Sequence, residues 1–345
     1  MIQKTAGYFL KRTTRVGLAF FCAVNFFNLT IGTLESSETV NILELDGGGS
    51  RTLLGLSFLK YLKQATNEDV PRRFKVAGGS SGGAIIGAGL TLPNDSSPSL
   101  PKYTADTLWD LFIQQRQNLF SSNTNAIPGI TPLYSNTTLT AAATACYGEA
   151  LFSSALVNTV TVSINTTNSA VTLFKSWDSP SDLKTTDAVL ASVALPIFFA
   201  PQTISGSSDS FIDGSLVTNN STLFLLEEAK KLYPQANFNI LSLGPGKYQT
   251  SFLNQISAAA QDSKRIPYLA MENLLELQDR TIDNRIKKDP KVLNYWRINP
   301  DIDADHLAID DVTDSTISYL EDVVSSYTTA NQADLQNMIT ILKNS

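Results

Sequence analysis

The chain has 345 residues, 43% hydrophobic and 17% charged, an ordinary globular composition for a length that can bury a large core. A net charge of −6 with no dominant basic stripe argues against nucleic acid as a partner and against lasting electrostatic docking on anionic lipid. Two cysteines, Cys22 and Cys146, make no disulfide framework, and a single histidine, His306, excludes a multi-histidine metal site.

In chain order, Lys4, Lys11, Arg12 and Arg15 precede the apolar run Val16 to Phe27. A basic start followed by a short apolar core reads as a secretory signal peptide, which would send the protein out of the cytoplasm. Asn25 and Asn28 make the run a poor membrane-spanning helix. Residues 1–37 are set apart as this segment and residues 38–345 as one domain.

Val40-Asn41-Ile42-Leu43-Glu44-Leu45 is strand-like and ends in Asp46-Gly47-Gly48-Gly49. Leu53, Leu56, Leu59 and Leu62 then recur at helical spacing. Phe74 to Ala77 is the next expected strand, and Ala84 to Ala88 belongs to a glycine-rich helix. Thr91 to Lys102 is a Pro/Ser/Asn loop, and Thr107 to Phe120 an amphipathic helix. Thr159 to Ile164 and Ala170 to Phe174 read as two strands about a polar turn. Phe238 to Leu243 and Val292 to Ile298 are further strands, and helices near Ser315–Ser325 and Gln332–Leu342 close the chain. Alternating strands and helices predict an α/β fold with a mainly parallel central sheet sandwiched by helices.

Three segments carry chemistry. Gly78-Gly79-Ser80-Ser81-Gly82 lies between an expected strand and an expected helix, the setting in which G-x-S-x-G exposes a serine oxygen. With Gly78 and Gly82 as the flanking glycines, Ser80 is the expected nucleophile and Ser81 its rival. The second segment is Asp46-Gly47-Gly48-Gly49-Ser50-Arg51. Its three glycines can turn successive backbone N–H groups toward an anion, as an oxyanion hole requires. Arg51 would hold the loop or add positive potential. Neither G-x-G-x-x-G nor G-x-x-x-x-G-K-[ST] spacing is present, which disfavours a nucleotide loop. In the third, Phe211-Ile212-Asp213-Gly214-Ser215, an acid ends a short apolar strand, placed to accept a serine proton. Taken alone, Asp-Gly is a turn signal.

In this order the three segments resemble those of the patatin-like phospholipases, whose pattern is DGGGxR, then GxSxG, then DG[GA]. Ala191 to Pro201, Val217-Thr218-Asn219-Asn220-Ser221-Thr222 and Ile240-Leu241-Ser242-Leu243-Gly244-Pro245-Gly246 are similar to further family segments, so the likeness covers about residues 40–325. The resemblance implies a patatin-like α/β sandwich, no cofactor, and acyl-ester hydrolysis by a Ser–Asp dyad. The implied partner is membrane phospholipid or another acyl lipid. Carried over, Ser80 is nucleophile, Asp213 base, and Gly47, Gly48 and Gly49 with Arg51 the oxyanion loop; Gly78, Gly82 and Gly214 complete the motifs. Thr52 and Ser215 depart from the family pattern, each by a small residue.

Two alternatives stand beside this reading. Ser80, Asp213 and His306 also follow the chain order of an α/β-hydrolase triad, in which His306 would take the proton. The acid-rich stretch Asp303-Ala304-Asp305-His306 reads more plainly as a surface loop. The other alternative is a lipid-binding or storage protein on the same fold.

Overall fold

The computed structural model describes residues 38–127, 130–248 and 266–345. The expected signal segment, and Cys22 with it, lies outside the described residues.

The sheet is built around β1 (Thr39–Leu45), with β2 (Val76–Ser80) on one side and β7 (Asn237–Leu243) on the other, all parallel. β8 (Val292–Ile298) extends the parallel set beyond β7, and β3 (Asn158–Asn165) extends it beyond β2. Two strands run the other way, β4 (Ala170–Lys175) and β6 (Ser210–Asp213), both paired with β3, and the short β5 (Gln202–Thr203) pairs antiparallel with β6. The sheet is thus mixed, with a parallel centre and an antiparallel flank.

Both faces are covered by helices, so β1 and β7 are buried almost throughout, with Asn41 and Glu44 in one and Asn239 and Ser242 in the other interrupting their apolar residues. Along β1, Leu43 and Leu45 pack with α1 (Leu53–Thr66), α3 (Gly82–Thr91), α9 (Asp314–Ala330) and α10 (Gln332–Lys343). Val40 and Ile42 point the other way, to α7 (Thr222–Leu232) and α8 (Ile266–Ile286). Each fully buried aliphatic side chain contributes about 1.5–3 kcal/mol, so a one-residue slip of β1 would forfeit both cores. The remaining helices are a single turn α2 (Val70–Arg73), α4 (Ala105–Leu119), α5 (Asn136–Tyr147) and α6 (Thr185–Val193). Thr104 and Thr107 form a reciprocal capping box that starts α4. α5, rich in Thr and Ala, has few large apolar residues to mark its period, and the sequence did not reveal it.

One strand differs from expectation in a way that decides the site. β2 runs through Gly78-Gly79-Ser80 rather than stopping at Ala77. Glycine weakens strand signals, but this strand lies deep inside a parallel sheet. A Cβ on Gly79 would run into the Leu45 carbonyl, so the close approach of β2 to β1 requires glycine there.

Pairing along β3 fixes what lies beyond β2. β4 occupies one edge of β3 from Val160 to Asn165. The other edge serves β2 up to Val162, opposite Ser80, and then β6 from Ser163, opposite Asp213. Asp213 therefore sits immediately past the end of β2, where the chain turns into α3.

Candidate active site

Strand alternation separates the two serines. Val76, Gly78 and Ser80 share the face toward α7, and Ser80 is fully buried there, donating its hydroxyl to the Asn219 carbonyl at 2.9 Å. The expectation that Ser80 occupies the elbow is corrected: it is the last residue of the strand. Ser81 is the turn itself, with φ 52° and ψ −126° between β2 and α3. That conformation is costly for a residue with a side chain, about 1–3 kcal/mol, and persists only where its surroundings enforce it. The enforcement is visible: the Ser81 amide donates to Ser192 Oγ at 3.1 Å, and Ser192 donates to the Val162 carbonyl at 2.5 Å. Gly79-Ser80-Ser81-Gly82-Gly83 is a second, overlapping G-x-S-x-G, so both registers satisfy the motif. Gly78 lies within β2, and Gly82 is the first residue of α3, whose N-terminus favours negative charge beside Ser81.

Asp213 is fully buried and ends β6. Its Oδ1 accepts the Ser215 amide at 2.8 Å, while Oδ2 has no well-formed hydrogen bond among the described residues. Burial raises its pKa from 3.8 to about 6; the Ser81 hydroxyl, which faces the carboxylate, and the Ser215 amide and hydroxyl pull it partly back. Catalytic hydrogen bonds are often poorly aligned before substrate binds. Gly214 opens the short 3-10 turn that follows.

The glycine loop lies against this pair. A Cβ on Gly47 would come within 2.8 Å of Ser81 Cβ and 2.7 Å of Asn219 Oδ1, so only glycine lets the loop reach the elbow. Among the described residues, no acceptor takes the amides of Gly47 and Gly48. Gly49 starts a 3-10 turn, Gly49–Thr52, which the Thr52 hydroxyl closes by donating to the Gly49 carbonyl. The Ile309 carbonyl accepts both the Ser50 amide at 2.7 Å and the Ser50 hydroxyl at 3.1 Å. Arg51, expected to hold the loop or to add positive potential, is wholly buried within the 3-10 turn that follows the glycines.

Behind the loop lies a charged network that sequence reasoning missed. Arg297 of β8 grips Asp46 with Nη1 at 2.9 Å from Oδ1 and Nη2 at 2.6 Å from Oδ2, and it also pairs with Asp279 at 2.7 Å. Burial works against the Arg297 charge, but Asp46 and Asp279 outweigh it and push its pKa up. Glu44 of β1 accepts hydrogen bonds from the Ser221 amide and hydroxyl, Thr222 and Ser242, and so fixes the start of α7 beside Asn219. A glutamate inside a doubly buried strand was the one local signal of this network.

His306 lies elsewhere in the bonding pattern. It stacks on Tyr319 with ring centroids 3.8 Å apart, and its Nδ1 meets Thr316 Oγ1 at 3.2 Å. It is not among the groups acting on Asp213. Among the described residues no cluster of three or more His, Cys, Asp and Glu side chains could hold a metal ion.

Ser81, Gly49 and Gly82 open onto an apolar cavity of about 490 Å³, walled by Phe112, Phe120, Phe198, Phe199 and Ile309. Ile85, Phe112, Leu119, Leu139 and Val193 also line a second space of about 530 Å³, reaching in between α3, α4, α5 and α6 as far as Cys146 and Tyr147. Cys146 is a buried free thiol. The arrangement can present a hydroxyl, a carboxylate and free backbone amides to the head of a long apolar group.

A family model described as patatin-like phospholipase matches residues 43–226, just over half of the chain. Patatin-like protein 1 of Arabidopsis thaliana is 27% identical over 231 residues, covering 60% of this chain and 55% of that protein. Calcium-independent phospholipase A2-gamma of Oryctolagus cuniculus is 24% identical over 328 residues, covering 88% of this chain and 40% of that protein. The chain spans about half the length of the curated relatives it matches. Among solved structures, VipD from Legionella pneumophila is 12% identical, covering 83% of this chain and 67% of that one, at a TM-score of 0.35, too loose a likeness to argue from.

Proposed function

The chain belongs to the patatin-like phospholipase family, and on that premise we propose that it is a lipid acyl hydrolase with Ser81 as nucleophile and Asp213 as base. The observation that carries the assignment is the strained Ser81 elbow, whose hydroxyl faces a buried carboxylate with no well-formed hydrogen bond at Oδ2 among the described residues.

Ser81 Oγ attacks the ester carbonyl carbon, and its proton passes to Asp213. A carboxylate with a pKa near 6 is ionised at neutral pH yet more basic than an ordinary aspartate. Negative charge on the carbonyl oxygen meets the Gly47 and Gly48 amides and the N-terminus of α3. Collapse expels the alcohol, which takes the proton from Asp213 and leaves the acyl group on Ser81. Water then attacks the acyl-enzyme, again giving its proton to Asp213, and the fatty acid leaves as Ser81 recovers its proton. The apolar cavity beyond Ser81 favours long-chain esters, as in phospholipids, over small polar ones. Residues 38–345 are taken as the catalytic unit and residues 1–37 as its export signal.

Mass-spectrometric product analysis on phospholipid tests the reading. Fatty acid release is expected from the wild type and from Ser80→Ala, and none from Ser81→Ala. Full release by Ser81→Ala would overturn the assignment.

A further inference from the structure

Two loops frame the mouth of the Ser81 cavity, and both turn large apolar side chains to water. The first follows α4 and carries Ile127, Ile130 and Leu133; the second follows α6 and carries Ile197. Ile130 is 77% exposed and Ile197 72%, while Phe198 and Phe199, next along the chain, face inward and wall the cavity. The loops are laced together: the Leu133 amide donates to the Ile197 carbonyl and the Tyr134 amide to the Phe198 carbonyl, each at 2.9 Å. Tyr134 packs its ring on Phe120, Phe198 and Phe199. Ile197 thus sits at the edge of the opening whose inner wall is aromatic, and the loop tied to it carries the other exposed apolar side chains outward.

Two features mark this rim as more than stray apolar surface. Ile197 has φ 77°, a genuine outlier for a β-branched residue, and the backbone holds that strain while presenting its side chain outward. The two loops carry no charge of their own, and the carboxylate that meets them, Asp310, accepts the Tyr134 hydroxyl at 2.5 Å. The chain holds 26 Lys and Arg and 32 Asp and Glu, yet none falls in residues 117–148 or 188–208, the stretches containing both loops. Loops without charges of their own enter an apolar phase without burying an ion, and a carboxylate beside them does not draw an anionic partner.

We propose that Ile130 and Ile197, with Ile127 and Leu133 beside them, dock the protein onto a zwitterionic lipid surface. This rests on the hydrolase reading for its choice of occupant: the two loops lie beside the cavity onto which Ser81 opens, so what seats on them is what delivers the ester. Docked this way, an acyl chain passes from the bilayer into the cavity without crossing water.

The test separates docking from chemistry. Ser81→Ala protein is co-sedimented with phosphatidylcholine vesicles, so that no turnover alters the lipid, and is compared with Ser81→Ala carrying Ile130→Asp and Ile197→Asp. Partition is expected to fall about tenfold or more for each isoleucine replaced, the factor that follows from losing the burial of one large aliphatic side chain. Leu293→Asp, at a 54% exposed position on the edge strand β8, is expected to leave partition unchanged. Ile197→Gly is expected to weaken partition while holding or raising Tm, because glycine takes positive φ without strain. On the native Ser81 background, the aspartate pair should hydrolyse soluble p-nitrophenyl butyrate as well as wild type.

Unchanged vesicle partition in the double variant overturns the proposal. So does binding confined to anionic vesicles and lost in high salt, or a wild-type dimer that the two substitutions split. A wild type inert toward the soluble ester, with isoleucine-dependent partition intact, would sink the hydrolase reading and leave the docking surface standing.

Discussion

Ser80 and Ser81, neighbours in the chain, belong to opposite sides of the sheet. Ser80 gives its hydroxyl to the Asn219 carbonyl beneath β2, while Ser81 turns at φ 52° toward Asp213. Substituting them one at a time is the sharpest test of the site. Ser81→Ala is expected to lower kcat by at least about 10³-fold, in line with loss of a nucleophile. Ser80→Ala should keep activity within about tenfold but lose about 1–3 kcal/mol of stability, since it leaves the buried Asn219 carbonyl without its donor. Urea unfolding and turnover on a soluble ester read the two effects separately.

The pH profile reports Asp213. The carboxylate must be ionised to take the serine proton, and burial sets its pKa at about 6. kcat/KM is expected to be flat at neutral pH and to fall about tenfold per unit once pH drops below 6. A fall beginning only near pH 4 would mean that an ordinary, solvated carboxylate does the work.

The same burial makes Asp213 a liability to the fold. Its folded pKa, about 6, lies above the ordinary 3.8, so the native state holds a proton that the unfolded chain has already released between those values. Stability is therefore lost as pH rises from about 4 to 6, to a total of about 3 kcal/mol above that window. Asp213→Asn, inactive but uncharged, should melt higher than wild type at pH 7–8 and lose that advantage toward pH 4. Calorimetric scans at the two pH values check it.

Arg297 braces the glycine loop from β8 through Asp46, and its removal would strand two carboxylates. Arg297→Gln is expected to cost about 3–5 kcal/mol, the usual loss when one member of a buried pair is taken away. Adding Asp46→Asn should restore part of it by removing the uncompensated charge. Denaturant titration of the single and double variants measures both, and a neutral single variant would show the network to be unimportant.

The legible parts of the molecule were those with a local physical signature. β1 and β7, buried on both faces, show short aliphatic stretches around Ile42-Leu43 and Ile240-Leu241, and α1 shows its leucine period. Asp213 was marked by its place at the end of a short apolar strand. The choice of serine was not legible, because the run from Gly78 to Gly83 fits the elbow motif in two frames and only the end of β2 decides between them. Glycines at Gly78 and Gly79 concealed that end by diluting the strand signal. Arg297 was invisible for another reason: it meets Asp46 across 251 residues of chain, a distance at which no spacing rule operates.

That span has a consequence for biosynthesis. Ser81 leaves the ribosome long before the arginine that braces the glycine loop through Asp46 and the Ile309 carbonyl that anchors Ser50. Until those residues are made, a nascent chain holds its glycine loop without the brace, and on the proposed reading Ser81 gains competence only once they have folded onto it.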